Sequence, residues 1–372
     1  MAQGFEGAIV IKEQPNGWGS TTVNPLGIQF AEAESSDLDI GIVQNRRNNK
    51  IRNSRFMTPG LVTNDFANPS GGFTLQPRAV EMLPLLMAHY QVVSVKGGSY
   101  ATSAGTFFGT FHFAAANKTP DAVGSVWGTW NNADYTYNAQ DYYPLTIISG
   151  FGTLENTAPV GQTVFQHGIV NTMQWRQAFD SDLIVTSNLV FKGKAPGVEN
   201  LAGSGNFGTN FTPSTLRYSG WTATITVDGT ANTNLDIEEW GFTSDAKGQG
   251  RGRIGQYGFG RFTYADNEEV GNFRVEFKDY ALYRKVLNGS LFALVMRWQI
   301  SGQSDWIEIN QYNCRFRPVT PNLPGGDQVI DLNYEYEAFG TNGTPSTMVS
   351  VFAYYGTQLL SLDLTAGSAR AA

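Results

Sequence analysis

The chain has 372 residues, a formal net charge of −7, 13% aromatic residues and 42 glycines. That length suits two domains of ordinary size better than one small core, and abundant Gly, Thr and aromatics beside sparse helix formers favour strands and turns. The acidic balance argues against a dedicated nucleic-acid binder, the single Cys314 excludes an internal disulfide, and no apolar run reaches the roughly 18 residues of a membrane span.

In chain order, the N-terminal MAQGFEGAIVIKE lacks a basic segment followed by a long apolar one, so no signal peptide is expected. Strand-like alternation runs through Ala8–Ile11, Ile28/Phe30 and Leu38/Ile40/Ile42, and is broken by a basic hairpin tip at Asn45–Asn53. Gly71–Gln91 predicts a helix with Thr74 as N-cap, Pro77 in the first turn and Pro84 as an internal kink. Strands follow at Val92–Val95 and Thr106–Ala115. Residues 117–144 form a long aromatic, Asn-rich insertion, the kind of loop that makes contacts. Val164–Trp175 and Asp182–Lys192 read as two strands joined by a turn at Phe179–Ser181.

Residues 193–213 are rich in turn formers and mark a composition break. The expected organisation is a first domain over residues 1–195, a linker over 196–213 and a second domain over 214–372. Trp221–Asp228 alternates cleanly, with Ala223, Ile225 and Val227 on one face and Thr222, Thr224 and Thr226 on the other; Asp228-Gly229 turns it. Strands at Leu235–Phe242 and Gly255–Tyr264 flank a second basic tip, Asp245–Arg253. Asn272–Phe277 is a strand, Lys278–Asn288 a helix closed by Gly289. Strands at Leu291–Ile300, Trp306–Phe316, Gln328–Phe339 and Thr347–Tyr355 complete the chain.

The two basic stretches echo each other at an offset of 197 residues. Leu38 aligns with Leu235, Asp39 with Asp236, Ile40 with Ile237 and Lys50 with Lys247. The order of elements repeats with them. The expected fold is mainly β: two tandem β-sandwich or barrel-forming domains, each with a flanking helix and a long hairpin.

The catalytic inventory is thin. His89, His112 and His167 have no metal-ligand spacing, Cys314 has no base beside it in sequence, and no metal or cofactor is expected. Two GxGxxG matches, Gly203–Gly208 and Gly250–Gly255, fall in the linker and a hairpin rather than between a strand and a helix. Carboxylates pair along strand faces: Asp37 with Asp39, Asp236 with Glu238. Such a wall is a solvated face, a sugar site of a hydrolase or glycan reader, or a surface that repels phosphate and lets DNA slide. Arg46, Arg47, Lys50, Arg52 and Arg55 cluster in one tip, and Lys247, Arg251 and Arg253 in the other. No aromatics interleave with them for base stacking. In an acidic protein they suit docking on an acidic surface of an identical neighbour, and head-to-tail contacts of that kind build open stacks.

With the tandem layout, the stretches GGFTLQPRAVEMLPLLMAHY and FKDYALYRKVLNGS, and the late pair beginning IEINQYNCRFRP and VIDLNYEYEAFG, the chain resembles the major tail (tail tube) proteins of long-tailed bacteriophages. The resemblance implies a non-enzymatic virion protein made in the host bacterial cytoplasm. Its β-domains would join neighbours into a barrel around a channel, in rings stacked into a tube. Tandem versions imply homotrimeric rings with pseudo-sixfold symmetry. The partners implied are the tail terminator, tail-tip or baseplate proteins, the tape-measure protein and genomic DNA passing without sequence-specific contacts. Arg46, Arg47, Lys50, Arg52, Arg55, Lys247, Arg251 and Arg253 are then expected between rings. Asp37, Asp39, Thr222, Thr224, Thr226, Asp236 and Glu238 are expected on the lumen. The competing reading is a β-sandwich virion protein that binds a glycan or receptor through the aromatic insertion.

Overall fold

A computed structural model describes residues 7–13, 29–31, 33–38, 42–46, 62–67, 69–90, 92–96, 105–113, 126–127, 145–151, 162–191, 217–231, 236–252, 259–263, 266–276, 281–300, 305–319, 331–341 and 344–356. The expected linker and most of the aromatic insertion lie outside them.

The first half contributes β1 (Gly7–Glu13), β2 (Gln29–Ala31), β3 (Ala33–Ser36), β4 (Ile42–Arg46), β5 (Val62–Ala67), β6 (Ser70–Leu75), α1 (Ala79–His89), β7 (Val92–Lys96), β8 (Gly105–His112), β9 (Val126–Trp127), β10 (Leu145–Phe151), β11 (Gln162–Ala178) and β12 (Ile184–Val190). The second contributes β13 (Ala223–Val227), β14 (Thr230–Ala231), β15 (Ile237–Asp245), β16 (Gln249–Gly252), β17 (Phe259–Thr263), β18 (Glu268–Glu276), α2 (Ala281–Asn288), β19 (Phe292–Gln299), β20 (Trp306–Phe316), β21 (Asp331–Ala338) and β22 (Thr347–Gly356). The protein is mainly β, as its composition predicts, and the strand pairs among the described residues are antiparallel.

Two layers pack face to face. One runs β3-β6-β12-β11-β15-β18-β21, the other β13-β19-β20-β22-β8-β7. The end of β20 also pairs with β21, through Cys314–Phe316, so the layers are continuous along one side. The N-terminal part of β11 continues beyond the first layer to pair with β10, which carries β1 and β2. Period-2 alternation sends Phe73, Val185, Trp175, Trp240, Phe273 and Tyr334 inward from one layer, and Leu294, Trp298, Ile309 and Val351 from the other. Trp298 packs against Trp175 and Trp240, with ring centroids at 6.0 and 5.5 Å, and its Nε1–H donates to Gln177 Oε1 at 2.9 Å. These contacts pin the layers together.

Strands of the two sequence halves pair directly, β11 with β15 and β8 with β22. The order of elements nonetheless repeats. The pair β3·β6 carries the two-stranded hairpin β4–β5, is followed by α1 and then by the pair β7·β8. The pair β15·β18 carries the hairpin β16–β17, is followed by α2 and then by β19·β20.

Several local expectations change. Ser70–Leu75 is strand, not the first turn of a helix, because Phe73 and Leu75 alternate inward and two glycines precede them. Thr74 therefore caps nothing; its hydroxyl meets that of Thr186 at 3.0 Å. The helix starts at Ala79, where Glu81 Oε2 accepts the N–H of Arg78 at 3.1 Å, and it runs through Pro84 to His89. Rather than flanking the sheet, α1 is buried among β1, β2, β10, β11 and β22. Leu145–Phe151, for which the sequence reading names no element, is strand β10. Thr222 belongs to a 3-10 turn (Gly220–Thr222) ahead of β13 rather than to the strand. The expected turn at Asp228-Gly229 is present, with φ of 49° and 76°, as is the cap at Gly289 with φ of 59°.

Candidate assembly interface

Both hairpins leave the β3–β21 layer from the same end. In the ladder Thr172 lies opposite Asn188 and Asp245, and Asn188 opposite Gly72. The first hairpin departs beside Gly72 and the second just after Asp245. At the first base, the Asp37 N–H donates to Gly72 O at 3.1 Å and the Gly72 N–H to Asp37 Oδ1 at 2.5 Å. Gly71 has φ of +129°, and a Cβ there would lie 2.5 Å from Asp37 O. Gly71→Ala is accordingly expected to cost about 1–3 kcal/mol in urea unfolding from its backbone conformation alone. Unchanged stability would mean the crossing is looser than this.

The second base is tied to β11. The Ala246 N–H donates to Asn171 O at 2.9 Å and the Gly248 N–H to Asn171 Oδ1 at 2.5 Å. Lys247 adopts φ of +48° and its Nζ meets Glu268 Oε2 at 2.7 Å, a hydrogen bond that raises the lysine pKa and lowers that of the glutamate. Lys247 thus sits at the hairpin base rather than its tip. Arg251 is exposed on β16, opposite Arg261 on β17. Arg46 ends β4; Arg47, Lys50, Arg52, Arg55 and Arg253 lie outside the described residues.

The outer face of the same seven-strand layer is mainly polar from β6 to β21. One row runs Thr74, Thr186, Gln174, Thr243, Val270 and Glu337; another runs Ile184, Arg176, Gly241, Asn272 and Glu335. Arg176 donates to Glu239 Oε1 from Nε (3.1 Å) and Nη2 (2.9 Å), and Arg274 Nη2 pairs with Glu238 at 3.0 Å. Arg317 pairs with Glu335 and Glu337, at 3.5 and 2.5 Å. These exposed pairs contribute little to stability; they hold a dense, largely neutralised surface.

The residues expected on one lumen wall are not brought together. Thr224 and Thr226 face outward from the opposite layer, beside Arg297 and Val295. Thr222 uses its hydroxyl to donate to Ser219 O at 2.9 Å. Asp236 lies just before β15 with φ of +50°. Glu238 falls at a register shift between Ile237 and Glu239, so the simple alternation that paired it with Asp236 is broken there. Asp37 holds the first hairpin base, and Asp39 lies outside the described residues. The signal for the seven-strand face, the alternating Thr172, Gln174 and Arg176 of β11, was in the sequence but needed the pairing partners to become a surface.

No catalytic constellation forms among the described residues. Among the described residues no three His, Cys, Asp or Glu side chains converge as a metal site. Burial pushes the Cys314 thiol pKa up, the opposite of what a nucleophile requires. His89 is buried beside Ser244 and Glu269. Its Nδ1 lies 3.0 Å from the Val170 carbonyl, which only accepts, so Nδ1 carries the proton and Nε2 accepts the Ser244 hydroxyl at 2.8 Å. Ser244 Oγ also lies 3.4 Å from Glu269 Oε1. Burial favours this neutral chain: it lowers His89 to about 4 and raises Glu269 to about 7, against the hydroxyls of Ser346, Thr347 and Ser244. The cluster bonds the core together and is buried.

A family model described as phage tail tube protein matches residues 86–338, from within α1 to the end of β21. The chain belongs to the phage tail tube protein family. No curated protein matches the sequence. The tail tube match spans both sequence halves and the expected linker. A tail tube protein is a structural component of the virion tail that assembles with its own copies. None of its described helices is long and apolar enough to cross a membrane.

Proposed function

We propose that this tail tube protein assembles into rings that stack through the two hairpins, with the polar face of the β3–β21 layer turned to the channel. The observation that carries this reading is that both hairpins leave the same end of that layer. Contacts made from one end only are head-to-tail, and a head-to-tail contact that does not close makes an open stack. In the sequence the basic residues Arg46, Arg47, Lys50, Arg52 and Arg55 follow the first base, and Arg251 and Arg253 follow the second.

The face assigned to the channel suits DNA passage. Thr, Asn and Gln dominate its middle rows, and its cations Arg176, Arg274 and Arg317 are each held by a carboxylate. With Asp245 and Glu276 added, the face carries net negative charge, which discourages phosphate from sticking. The repeated order of hairpin, helix and strand pair supports the reading of the chain as two pseudo-equivalent units, residues 1–195 and 214–372. Trimeric rings would then present six hairpins. In this assembly the tape-measure protein and DNA occupy the lumen, and terminator and tip proteins meet the end rings.

The test is charge reversal of the first tip. Arg46, Arg47, Lys50 and Arg52 changed together to Glu are expected to leave folding intact by circular dichroism and to abolish tubes in negative-stain electron microscopy. Normal tubes from this variant would remove the tip from the joint.

A further inference from the structure

The second hairpin leaves the β3–β21 layer beside an irregularity in one of its strands. In the β11–β12 ladder Val170 lies opposite Leu189 and Thr172 opposite Asn188, so Asn171 is an extra residue, a β-bulge. Burial changes phase there: Ile169 and Val170 are both buried, Asn171 and Thr172 both half-buried. A bulged residue is left out of the ladder on that side and can aim its polar groups elsewhere. Asn171 aims two acceptors at the hairpin base. Three successive N–H groups of the base have assigned acceptors: Ala246 donates to Asn171 O at 2.9 Å, Lys247 to Asp245 Oδ1 at 2.7 Å and Gly248 to Asn171 Oδ1 at 2.5 Å. Gly248 directly precedes β16, so the side chain of Asn171 grips the chain where the hairpin begins.

The frame beneath Asn171 is fixed. The His89 Nδ1–H donates to the carbonyl of Val170, the residue before the bulge, and His89 Nε2 accepts the hydroxyl of Ser244, the residue before Asp245. The imidazole is itself held edge-on by Tyr90 and Phe113, with ring centroids at 4.7 and 5.1 Å. The end of α1 thus ties together the two strands on which the base is built. The first hairpin base uses the same device with the roles exchanged. There the side-chain oxygen of Asp37 takes the Gly72 N–H at 2.5 Å, and the Asp37 N–H returns to Gly72 O at 3.1 Å. Two hairpins far apart in sequence are each held by one Asp or Asn oxygen on one glycine N–H.

We propose that Asn171 is the positioning residue of the second hairpin: its amide oxygen fixes the direction in which β16–β17 leaves the layer and so presets the hairpin for the copy in the adjacent ring. This rests on the stacked-ring reading above. A hairpin held in advance loses less freedom on docking, and its effect on assembly follows from that difference.

The experiment compares full-length wild type with Asn171→Ala, which removes the oxygen, and Asn171→Asp, which keeps one in its place. Circular dichroism is expected to be the same for all three. Direction is read as the distance between spin labels on Gln174→Cys, exposed on β11, and Arg251→Cys, exposed on β16; the native Cys314 is buried. Labelled chain is diluted into unlabelled chain below the tube-forming concentration. One narrow distance is expected in the wild-type and aspartate backgrounds, and a broad distribution in the alanine background. Without labels, the critical concentration for tubes is expected to rise at least about tenfold in Asn171→Ala and to stay within about twofold of wild type in Asn171→Asp. A narrow distance in the alanine background would overturn the proposal. So would tubes from Asn171→Ala at wild-type concentration, or an aspartate variant that fails as the alanine one does. Loss of the folded spectrum in Asn171→Ala would also overturn it, by making Asn171 a residue of the fold rather than of the hairpin. If the wild-type chain forms no tubes, the stacked-ring reading fails by itself, and the spin-label distance still decides whether Asn171 directs the hairpin.

Discussion

At pH 8 the Glu269→Gln variant is expected to be more stable than wild type by about 3 kcal/mol. Glu269 is fully buried and its carboxyl is raised from 4.5 to about 7. The folded state therefore holds a proton that the unfolded state releases between those values. The resulting loss of stability is absent below pH 4.5, grows as pH rises and is complete above about 7. His89 works in the opposite sense. Its folded value of about 4 lies below the ordinary 6.5, so the unfolded state binds the proton first and stability falls as pH drops from 6.5 to 4. Between about pH 4.5 and 6.5 the two slopes oppose each other, and wild-type stability is expected to be nearly flat from these groups. The glutamine amide can keep a hydrogen bond to Ser244 Oγ, and with it the chain to His89. Only the His89 slope then remains, and the variant should lose about 3 kcal/mol on going from pH 7 to pH 4. Urea unfolding at pH 4, 5.5 and 8 measures both effects. Equal stabilities of variant and wild type at pH 8 would show that Glu269 reaches solvent.

The second large effect is expected at Trp298. Trp298→Ala should cost about 3–5 kcal/mol, a large part of the stability of an ordinary domain. The side chain is fully buried between Trp175 and Trp240. Its removal opens a cavity between the layers and leaves Gln177 Oε1 without its donor. Gln177 also braces the turn at Ala178–Ser181 through its Nε2, so the damage should reach that turn. Trp298→Phe separates the two contributions by refilling most of the volume while losing the hydrogen bond. Its expected cost is about 1–3 kcal/mol from the unpaired oxygen and imperfect packing. Urea midpoints of the three proteins test the order, and an alanine variant as stable as the phenylalanine one would refute the layer-pinning role.

The local features were legible because their causes are local. Alternation at Ile225/Val227 and across Leu294, Met296 and Trp298 marks strands, since successive side chains leave opposite faces of a pleated chain. Asp228-Gly229 and Gly289 mark a turn and a helix end because those positions need positive φ. Where two local signals competed, sequence reasoning chose wrongly: Ser70–Leu75 joins the same apolar stretch as α1, and Pro77 with Arg78 separates strand from helix only once Glu81 folds back onto the Arg78 N–H.

By itself the sequence determined a β-rich chain with a repeated order of elements, a basic stretch in each half, and no recognisable catalytic or cofactor motif. The echo of Leu38–Lys50 at Leu235–Lys247 led to the hairpins and from them to a polymerising structural protein. Only the tertiary structure decided which strands are neighbours: β11 with β15, β8 with β22, and with them the polar face of the seven-strand layer and the end from which both hairpins leave. It also decided that Glu238 sits at a bulge, that Thr224 and Thr226 face away from the other expected lumen residues, and that His89, Ser244 and Glu269 meet in the core. The reason is that period-2 alternation tells which face a side chain takes relative to its own strand. It carries no information about the strand lying alongside, and a single bulge exchanges the two faces from that point on.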